Sequence, residues 1–430
     1  MNAPRHEIIH SMLRRLIGWD YRQRAIYQIT VTLADRASQA LGRLEVKGNG
    51  GGWVSVEVVR GMGLEPDEVV ARVTPSEIGE IVLRCWAEIP RQWPGVSLIG
   101  AQLMPDHFHG IVFVERPQTK TLGNIIGSFK SKSSSRAGEV FAARGEARHG
   151  PGGGEARLVA GGGDEARAGV GGGCCSKPRA ASLWSPGYQD TILFRDGQLA
   201  NMKHYLVDNP RRLAVKRLFP ELFRVVREWA VPLTLPGGVA GVGRFAAIGN
   251  RFLLERPLEQ VQVSRRDFSY RREPKPGGGL KIARDAAGEP LTAFSSPLYA
   301  EKKELLFAAA KHGAVLISPC VSDGERQIAH EALAAGFPLV TLHNKGFAKL
   351  QKPSGRHFDA CGEGRLLMLA PAAWPYQPGE KPMTRFDATA MNRLCQWLAG
   401  EGAAEINYHG MQPANVDELA CAAARVERRS

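Results

Sequence analysis

The glycine-rich segment from residue 144 to residue 173 places the strongest constraint on the fold. It reads "RGEARHGPGGGEARLVAGGGDEARAGVGGG", with GEAR, GEAR and DEAR recurring between glycine runs. Because it has almost no large apolar residues, it cannot offset its ordering entropy by burial. We therefore predict a disordered insertion over about residues 137–180. Its Glu and Arg charges nearly cancel, which favours a neutral repeat expansion over a nucleic-acid-binding tract.

The length and composition favour two globular domains. A chain of 430 residues exceeds the usual size of one domain, and we expect domains over residues 1–235 and 240–430. Hydrophobic residues make up 43% of the chain, no apolar run reaches the length of a membrane span, and the N-terminus lacks a signal-peptide core. The seven cysteines are never spaced as C-x-x-C, so reduced thiols are expected. These features predict a cytoplasmic protein without a membrane partner.

An excess of positive charge indicates a polyanionic partner. The formal net charge is +13 and the isoelectric point is near 9.6. Such an excess commonly supports nucleic-acid binding through phosphate contacts. A basic surface that only aids solubility is the alternative.

Apolar patterning in the first half predicts an α+β domain, an antiparallel sheet with packed helices. Residues 25–33 and 53–59 read as strands, and with a turn at 47–52 they predict a hairpin. Thr74 and Pro75 read as the start of a helix whose apolar stripe must pack on a sheet. Residues 96–104 and 108–114 read as two more strands, and Pro210 makes Asn209 an expected helix end.

The pattern of apolar residues changes from about residue 240. Strand-like runs such as "GAVLISPCV", "FPLVTLHN" and "GRLLMLAP" are separated by helical runs such as "DGERQIAHEALAAG". This alternation is typical of βαβ units. It predicts an α/β, Rossmann-like domain with a mainly parallel sheet.

The pair of histidines in "LMPDHFHGIVFV" is the first candidate site. His107 and His109 are two residues apart in a predicted strand, so their side chains leave the same face and Phe108 leaves the other. Two imidazoles placed in this way can share a cation. On its own the pair favours polar residues at a strand edge over a ligand set, and only other motifs can reverse this preference.

Further motifs follow this pair in a specific order. "LGNIIGSFKSKSSS", "LWSPGYQDTILFRD" and "MKHYLVDNPRR" come after it, and over residues 20–215 the chain resembles single-tyrosine HUH transposases of the insertion sequence (IS) 200 type, particularly the REP-associated branch. The resemblance implies a ferredoxin-like fold in which His107 and His109 bind a metal, Asn209 is the third ligand and Tyr205 is the nucleophile. Asp106 departs from the pattern, because the family often has Asn there.

The implied chemistry is cleavage and rejoining of single-stranded DNA. A phenol with an ordinary pKa near 10 is a poor nucleophile at neutral pH, so charge must be stabilised at the scissile phosphate. Mg²⁺ or Mn²⁺ would do so, with mixed nitrogen and oxygen ligands favouring Mn²⁺. Tyr205 and Asn209 are four residues apart and would share one helix face. Without the other motifs, Tyr205 would read as an ordinary tyrosine on a helix surface.

Several residues around these motifs are candidates for contacts with single-stranded or hairpin DNA. Basic residues suit phosphates, and aromatic residues suit unpaired bases. An ordinary solvated charge or a packed aromatic is the alternative for each, and Tyr188 is also the rival tyrosine. The predicted DNA-binding residues are Lys130, Lys132, Arg136, Trp184, Tyr188, Arg211 and Arg212.

The second half is similar in motif order to the Rossmann-like family of DNA-processing protein A, over about residues 245–400. That family has glycine-containing loops that cradle phosphates, whereas this chain has "VSRR" and "SPCVSDGE", so close backbone approach is in doubt. The residues expected to line a ligand pocket are Ser264, Arg265, Ser318, Asp323, Gly324 and Glu325. A dimerisation role, as in a homodimer, or a purely structural role is the alternative.

The leading hypothesis from the sequence is therefore a metal-dependent DNA transposase that works through a 5′-phosphotyrosine intermediate. One alternative is a domesticated DNA-binding protein without turnover. The other is a nucleotide-sensing protein that acts through its second domain.

Overall fold

The computed structural model describes residues 16, 18–48, 50–59, 64, 66–145, 182–194, 197–274, 278–285, 288–379, 381–400 and 412–428. Residues 146–180 of the predicted disordered insertion lie outside the described residues. Its predicted start at about residue 137 was wrong, because a helix continues to Ala143 and buries Ala137 in the core. The chain divides into two compact units, one of Met1–Ser55 and Ala71–Arg211 and one of Val56–Val70 and Arg212–Ser430. The predicted domain ranges 1–235 and 240–430 stay predictions, and the units divide between Arg211 and Arg212 instead. No helix in the described ranges is long and apolar enough to cross a membrane.

The described elements alternate between short strands and helices. The strands are β1 (Ala25–Thr32), β2 (Gly42–Lys47), β3 (Trp53–Ser55), β4 (Ala71–Pro75), β5 (Val96–Leu103), β6 (His107–Val114), β7 (Gln189–Ile192), β8 (Val226–Leu235), β9 (Val239–Gly249), β10 (Leu258–Gln260), β11 (Phe268–Tyr270), β12 (Arg272–Pro274), β13 (Leu280–Ile282), β14 (Thr292–Ser295), β15 (Val315–Ser318), β16 (Leu339–Leu342), β17 (Leu366–Pro371) and β18 (Glu427–Arg428). The α-helices are α1 (Val56–Val59), α2 (Glu77–Ala87), α3 (Ile89–Gln92), α4 (Leu122–Ala143), α5 (Gln198–Leu218), α6 (Pro297–Lys311), α7 (Asp323–Ala334), α8 (Arg356–Gly362), α9 (Arg385–Ala399) and α10 (Pro413–Ala424). Turns of 3₁₀ helix cover Pro66–Glu68, Pro220–Phe223, Pro236–Gly238 and Arg251–Glu255.

The first unit contains a four-stranded sheet in the order β5-β6-β1-β7 and a three-stranded sheet in the order β3-β2-β4. Every pairing in both sheets is antiparallel. A mixed helix and sheet fold with antiparallel sheets, as the sequence predicted, is therefore confirmed.

Helices cover one face of the four-stranded sheet. In β6, Phe108 is fully buried and packs against Trp86 of α2 and Phe129 of α4, with ring centroids 4.9 Å and 5.6 Å away. Gly110 lies on the same face, and a Cβ atom there would come within 2.2 Å of the Trp86 ring. The absence of a side chain at residue 110 thus lets α2 approach the sheet.

Three local predictions for the first unit were wrong. Trp53–Ser55 pairs with β2 and not with β1, which pairs with β6 and β7, and Val56–Val59 is helical. The helix start is at Ser76, whose Oγ accepts a hydrogen bond from the Gly79 amide at 3.1 Å, because β4 extends through Thr74 and Pro75.

The third concerns the end of α5. Asn209 does not end this helix, which continues through Pro210 to Leu218. Proline removes one helical hydrogen bond, but Ala214 and Val215 in the following turn are buried. Their packing favours continuation of the helix past the proline.

The second unit contains a seven-stranded sheet in the order β10-β15-β16-β17-β9-β18, with β8 also paired to β9. The run from β10 to β17 is parallel, and α7 and α8 lie in the connections between β15, β16 and β17. By contrast, β9 runs antiparallel to β17, β18 and β8. Antiparallel pairing at this edge departs from a mainly parallel sheet, and a Rossmann-like assignment stays a prediction.

Replacing Gly110 tests the packing of α2 on the sheet. We expect Gly110→Ala to lower the free energy of unfolding by about 1–3 kcal/mol, because the new methyl group overlaps the Trp86 ring. Gly127→Ala is the matched control: residue 127 is exposed within α4 with nothing near its Cβ position, so helix propensity predicts a gain of up to about 1 kcal/mol. Urea unfolding followed by tryptophan fluorescence checks both values. Equal effects of the two substitutions would contradict this packing.

Candidate functional site

The two histidines of β6 lie on the sheet face opposite Phe108. The β1 register pairs Thr32 with His107 and Thr30 with His109, so all four side chains share this face. The Nε2 atoms of the two imidazoles are 3.0 Å apart, and the rings meet nearly perpendicularly at 89°. The predicted H-x-H geometry is therefore present, with both Nε2 atoms directed toward one point.

His107 is oriented by a carboxylate next to it in the chain. Its Nδ1 lies 2.6 Å from Oδ1 of Asp106, and Oδ2 of Asp106 accepts a hydrogen bond from Nε of Arg36 at 2.8 Å. Burial opposes ionisation of Asp106, but the hydrogen bonds from His107 and Arg36 outweigh it and lower its pKa to about 2. An ionised Asp106 favours a proton on Nδ1 of His107, which leaves the Nε2 lone pair for another partner.

His109 is held by the neighbouring strand. It is only 6% exposed, and its Nδ1 lies 2.9 Å from Oγ1 of Thr30 and 3.2 Å from Nε2 of Gln28. Burial, followed by the charge of His107, lowers the pKa of His109 to about 3. At neutral pH the ring is therefore uncharged and has one nitrogen lone pair to offer.

These features can be compared with the requirements of a divalent cation. A separation of 3.0 Å between the two Nε2 atoms equals that of adjacent ligands in an octahedral shell with a radius of about 2.1 Å. In a metal-free protein a proton must bridge these two atoms, and a cation would take its place. Among the described residues, no group of three or more His, Cys, Asp or Glu side chains is placed to hold a metal. The described residues thus offer a cation two converging imidazole nitrogens.

Helix α5 brings the predicted nucleophile to the same face. The Tyr205 ring lies 5.9 Å from the His109 ring between centroids, and 38% of the side chain is exposed. Leu206 is buried, and one of its methyl groups would lie 3.9 Å from a Cβ atom at Gly100 of β5. Packing of Leu206 on the sheet thus leaves the adjacent Tyr205 beside His109 and open to solvent.

Asn209 follows one helical turn after Tyr205. It is 8% exposed, and its Nδ2 atom is buried without a hydrogen-bond partner among the described residues. Burying an amide nitrogen without a partner is costly, and the oxygen and nitrogen of an Asn amide are assigned from their partners. With the amide turned over, its oxygen would occupy this position, and the ligand role of Asn209 stays a prediction.

The basic residues predicted to contact DNA all have partners within the protein. Lys130 donates to the carbonyl oxygens of Ser185 and Gly187, which ties α4 to the segment before β7. Lys132 and Arg136 both pair with Glu88, on the helix layer that covers the Phe108 face. Arg211 pairs with Asp208 at 2.6 Å, and Arg212 pairs with Asp359 at 2.5 Å. The structure does not gather these cations around the histidines, and their DNA contacts stay predictions.

The two aromatic candidates are buried. Trp184 is 2% exposed, and its Nε1 donates to Oγ of Ser133 at 2.9 Å. Tyr188 belongs to the same hydrophobic core. Both side chains would have to leave this core to stack on a base, so their placement favours the packing alternative.

Several residues predicted to form a ligand pocket in the second unit are occupied by neighbouring groups of the protein. Asp323 accepts hydrogen bonds from Arg272, Arg326 and the Tyr270 amide, and a Cβ atom at Gly324 would lie 2.3 Å from Val263.

The backbone amides of the loop before α7 are bound by the carboxylate of Glu325 in that helix. Glu325 accepts hydrogen bonds from the amides of Val321 and Ser322 at 2.8 Å and 2.9 Å. Burial raises the pKa of Glu325, although these amides oppose the rise. Oγ of Ser318 accepts from the Cys320 amide, and Oγ of Ser264 accepts from the Arg266 amide, one residue beyond Arg265. The amides that would cradle a phosphate are thus already satisfied by Glu325.

Sequence reasoning missed the residues that support the histidines. Gln28 and Thr30 of β1 contact His109, and Arg36 contacts Asp106. The signal was present in "YQITVT", where polar residues alternate with the apolar residues of the core face. Polar residues on a strand whose other face is buried are expected to pair with polar residues of the neighbouring strand.

Comparison with solved structures found six similar chains, and two of them are as follows. One is a REP-associated tyrosine transposase bound to a REP hairpin, with 11% identity, a TM-score of 0.24, and coverage of 49% of this chain and 73% of that one. The other is a protein designated a transposase from Deinococcus radiodurans R1, with 12% identity, a TM-score of 0.22, and coverage of 46% of this chain and 98% of that one. TM-scores this low do not establish a common fold. No family model and no curated protein matches the chain.

The lowered pKa of His109 predicts an unusual titration in metal-free protein. Because the folded-state pKa of about 3 lies below the ordinary value of 6.5, the unfolded chain takes up this proton first as the pH falls. The contribution to stability is complete above pH 6.5 and is lost as the pH falls toward 3. We expect imidazole ¹⁵N shifts to show a neutral His109 ring at about pH 5. A charged ring at that pH in folded protein would contradict the burial described for His109.

Proposed function

We propose that this chain is a DNA-cleaving and DNA-rejoining transposase of the single-tyrosine HUH kind. The observation that carries the proposal is the convergence of His107, His109 and Tyr205 on one face of the four-stranded sheet. The substrate is single-stranded DNA or a DNA hairpin. A net charge of +13 agrees with a polyanionic partner.

In the proposed reaction, the Tyr205 oxygen attacks the phosphorus of a phosphodiester. The bond from phosphorus to the 3′-oxygen breaks while the bond from phosphorus to the tyrosine oxygen forms. The phenol loses its proton and the departing 3′-oxygen gains one, which leaves a 5′-phosphotyrosine link and a free 3′-hydroxyl. The phosphate ester is conserved, so attack by another 3′-hydroxyl rejoins the strands without ATP.

His107 and His109 would hold Mg²⁺ or Mn²⁺ through Nε2, with the Asn209 amide oxygen as the third protein ligand. When bound, the cation supplies positive charge that polarises the scissile phosphate. The chain's own contribution is orientation: Asp106 and Arg36 hold the His107 ring, and contacts from β1 hold His109. Tyr205 is 38% exposed, and in the proposed complex a DNA strand would reach it from this face.

The remaining expectations are part of the same proposal. Lys130, Lys132, Arg136, Arg211 and Arg212 would contact DNA phosphates, each in exchange for or in addition to its present partner. The second unit is proposed as a Rossmann-like domain similar to DNA-processing protein A and as the place where two chains form a homodimer. The parallel strands β15, β16 and β17 support the Rossmann-like part of this proposal.

A comparison of two tyrosine variants tests the assigned nucleophile. The full chain is incubated with Mn²⁺ and an end-labelled DNA hairpin, and covalent protein–DNA adduct is measured on a denaturing gel. We expect Tyr205→Phe to reduce the adduct by at least about 10³-fold, because the attacking oxygen is removed. Tyr188→Phe is the matched control and should retain the adduct, since this tyrosine is part of the core.

The outcomes separate the functions that the sequence left open. If Tyr205→Phe still forms the adduct, Tyr205 is not the nucleophile and the assignment is wrong. If the unaltered chain binds the hairpin without forming an adduct, the chain is a DNA-binding protein without turnover and the proposal fails.

A further inference from the structure

The second unit contains a cavity that the DNA-cleavage proposal does not use. It has a volume of about 340 Å³, and its lining includes residues of β16 and residues just beyond the carboxyl ends of the neighbouring parallel strands β15 and β16. Pro319 and Cys320 follow β15 on one side, and His343 and Asn344 follow β16 on the other. Ligands of α/β proteins commonly bind outside the carboxyl ends of parallel strands, in pockets of about 300–1,000 Å³.

The walls of the cavity combine apolar surface with uncharged polar groups. Leu333, Met383 and Met391 supply flexible apolar side chains that suit a flat ring. Thr341 Oγ1 lies 3.1 Å from Nε2 of His343. Burial lowers the pKa of His343 to about 4, so this ring is a neutral hydrogen-bonding group at neutral pH.

The charged side chains that line the cavity are all positive. Arg326 and Arg356 both contribute to the lining, and none of the described lining residues is acidic. Arg326 and His330 are four residues apart on α7, and Arg356 donates to Nε2 of His330, so both guanidinium groups lie at one end. Their acidic partners, Asp323 and Glu289, use only part of the five donors of each guanidinium group.

The loop after β15, which lines the cavity, is held in a costly conformation. Cys320 has a φ angle of +52°, which lies in the left-handed region that non-glycine residues rarely adopt. Ser318 stabilises this turn by accepting the Cys320 amide proton at 3.1 Å. Such backbone outliers are concentrated at ligand sites.

We propose that this cavity binds a nucleoside monophosphate, with the base between the methionines and Leu333 and the phosphate at Arg326 and Arg356. The site differs from the loop predicted by sequence, whose amides are occupied by Glu325. A cavity of this size accommodates one nucleotide rather than a DNA strand. The inference does not rest on the proposed DNA cleavage.

Calorimetric titration of the full chain with AMP, GMP, CMP and dTMP tests the proposal. Adenosine and inorganic phosphate are the control ligands. Ala329→Leu fills the cavity from α7, and Ala334→Leu places the same side chain at an exposed position of that helix. Arg356→Gln removes one charge from an exposed residue while preserving the length of the side chain.

At least one mononucleotide should bind, and binding should be at least about tenfold weaker for Ala329→Leu and for Arg356→Gln. Ala334→Leu should bind as the unaltered chain does. Adenosine should bind at least about tenfold more weakly than AMP if AMP is the ligand, because it lacks the charged group. The proposal is overturned if no mononucleotide binds, if inorganic phosphate binds as tightly as the nucleotide, or if neither Ala329→Leu nor Arg356→Gln weakens binding.

Discussion

The difference between the two faces of strand β6 determines how the first unit is built. Phe108 and Gly110 face the helices, where Gly110 leaves room for the Trp86 ring. Because side chains alternate along a strand, that packing necessarily directs His107 and His109 to the opposite face. A slip of one residue in the register with β1 would bury both imidazoles under the helices and expose Phe108. The buried core therefore fixes the position of the candidate site.

Polar groups on the histidine face orient both rings, and burial keeps the His109 ring uncharged at neutral pH. Asp106 binds one ring, and Thr30 with Gln28 binds the other. In the second unit, Glu325 supplies from within the chain the hydrogen-bond acceptor that the loop amides would otherwise find in a ligand. Buried donors of this loop are therefore satisfied without a ligand.

Sequence patterns correctly predicted the features that depend on the alternation of residues within one strand or of elements along the chain. The histidine geometry of β6 and the alternation of strands and helices after residue 240 belong to this class. What failed depended on contacts between elements. Thr74 met the local rules for a helix cap, but pairing with β2 kept it in a strand, and Pro210 met the rules for a helix end, but burial of the next turn extended the helix. Occupation of the loop amides by Glu325 likewise needs three-dimensional coordinates.

Electron paramagnetic resonance of bound Mn²⁺ tests the central claim, that His107 and His109 form a cation site. The account predicts Mn²⁺ binding to the full chain, with spin-echo modulation from coordinated imidazole nitrogen. This signal should be lost in His107→Ala and in His109→Ala and retained in His312→Ala, a control at the exposed C-terminal end of α6. Nitrogen-coordinated Mn²⁺ that persists in both β6 variants, or no binding by the unaltered chain, would contradict the account.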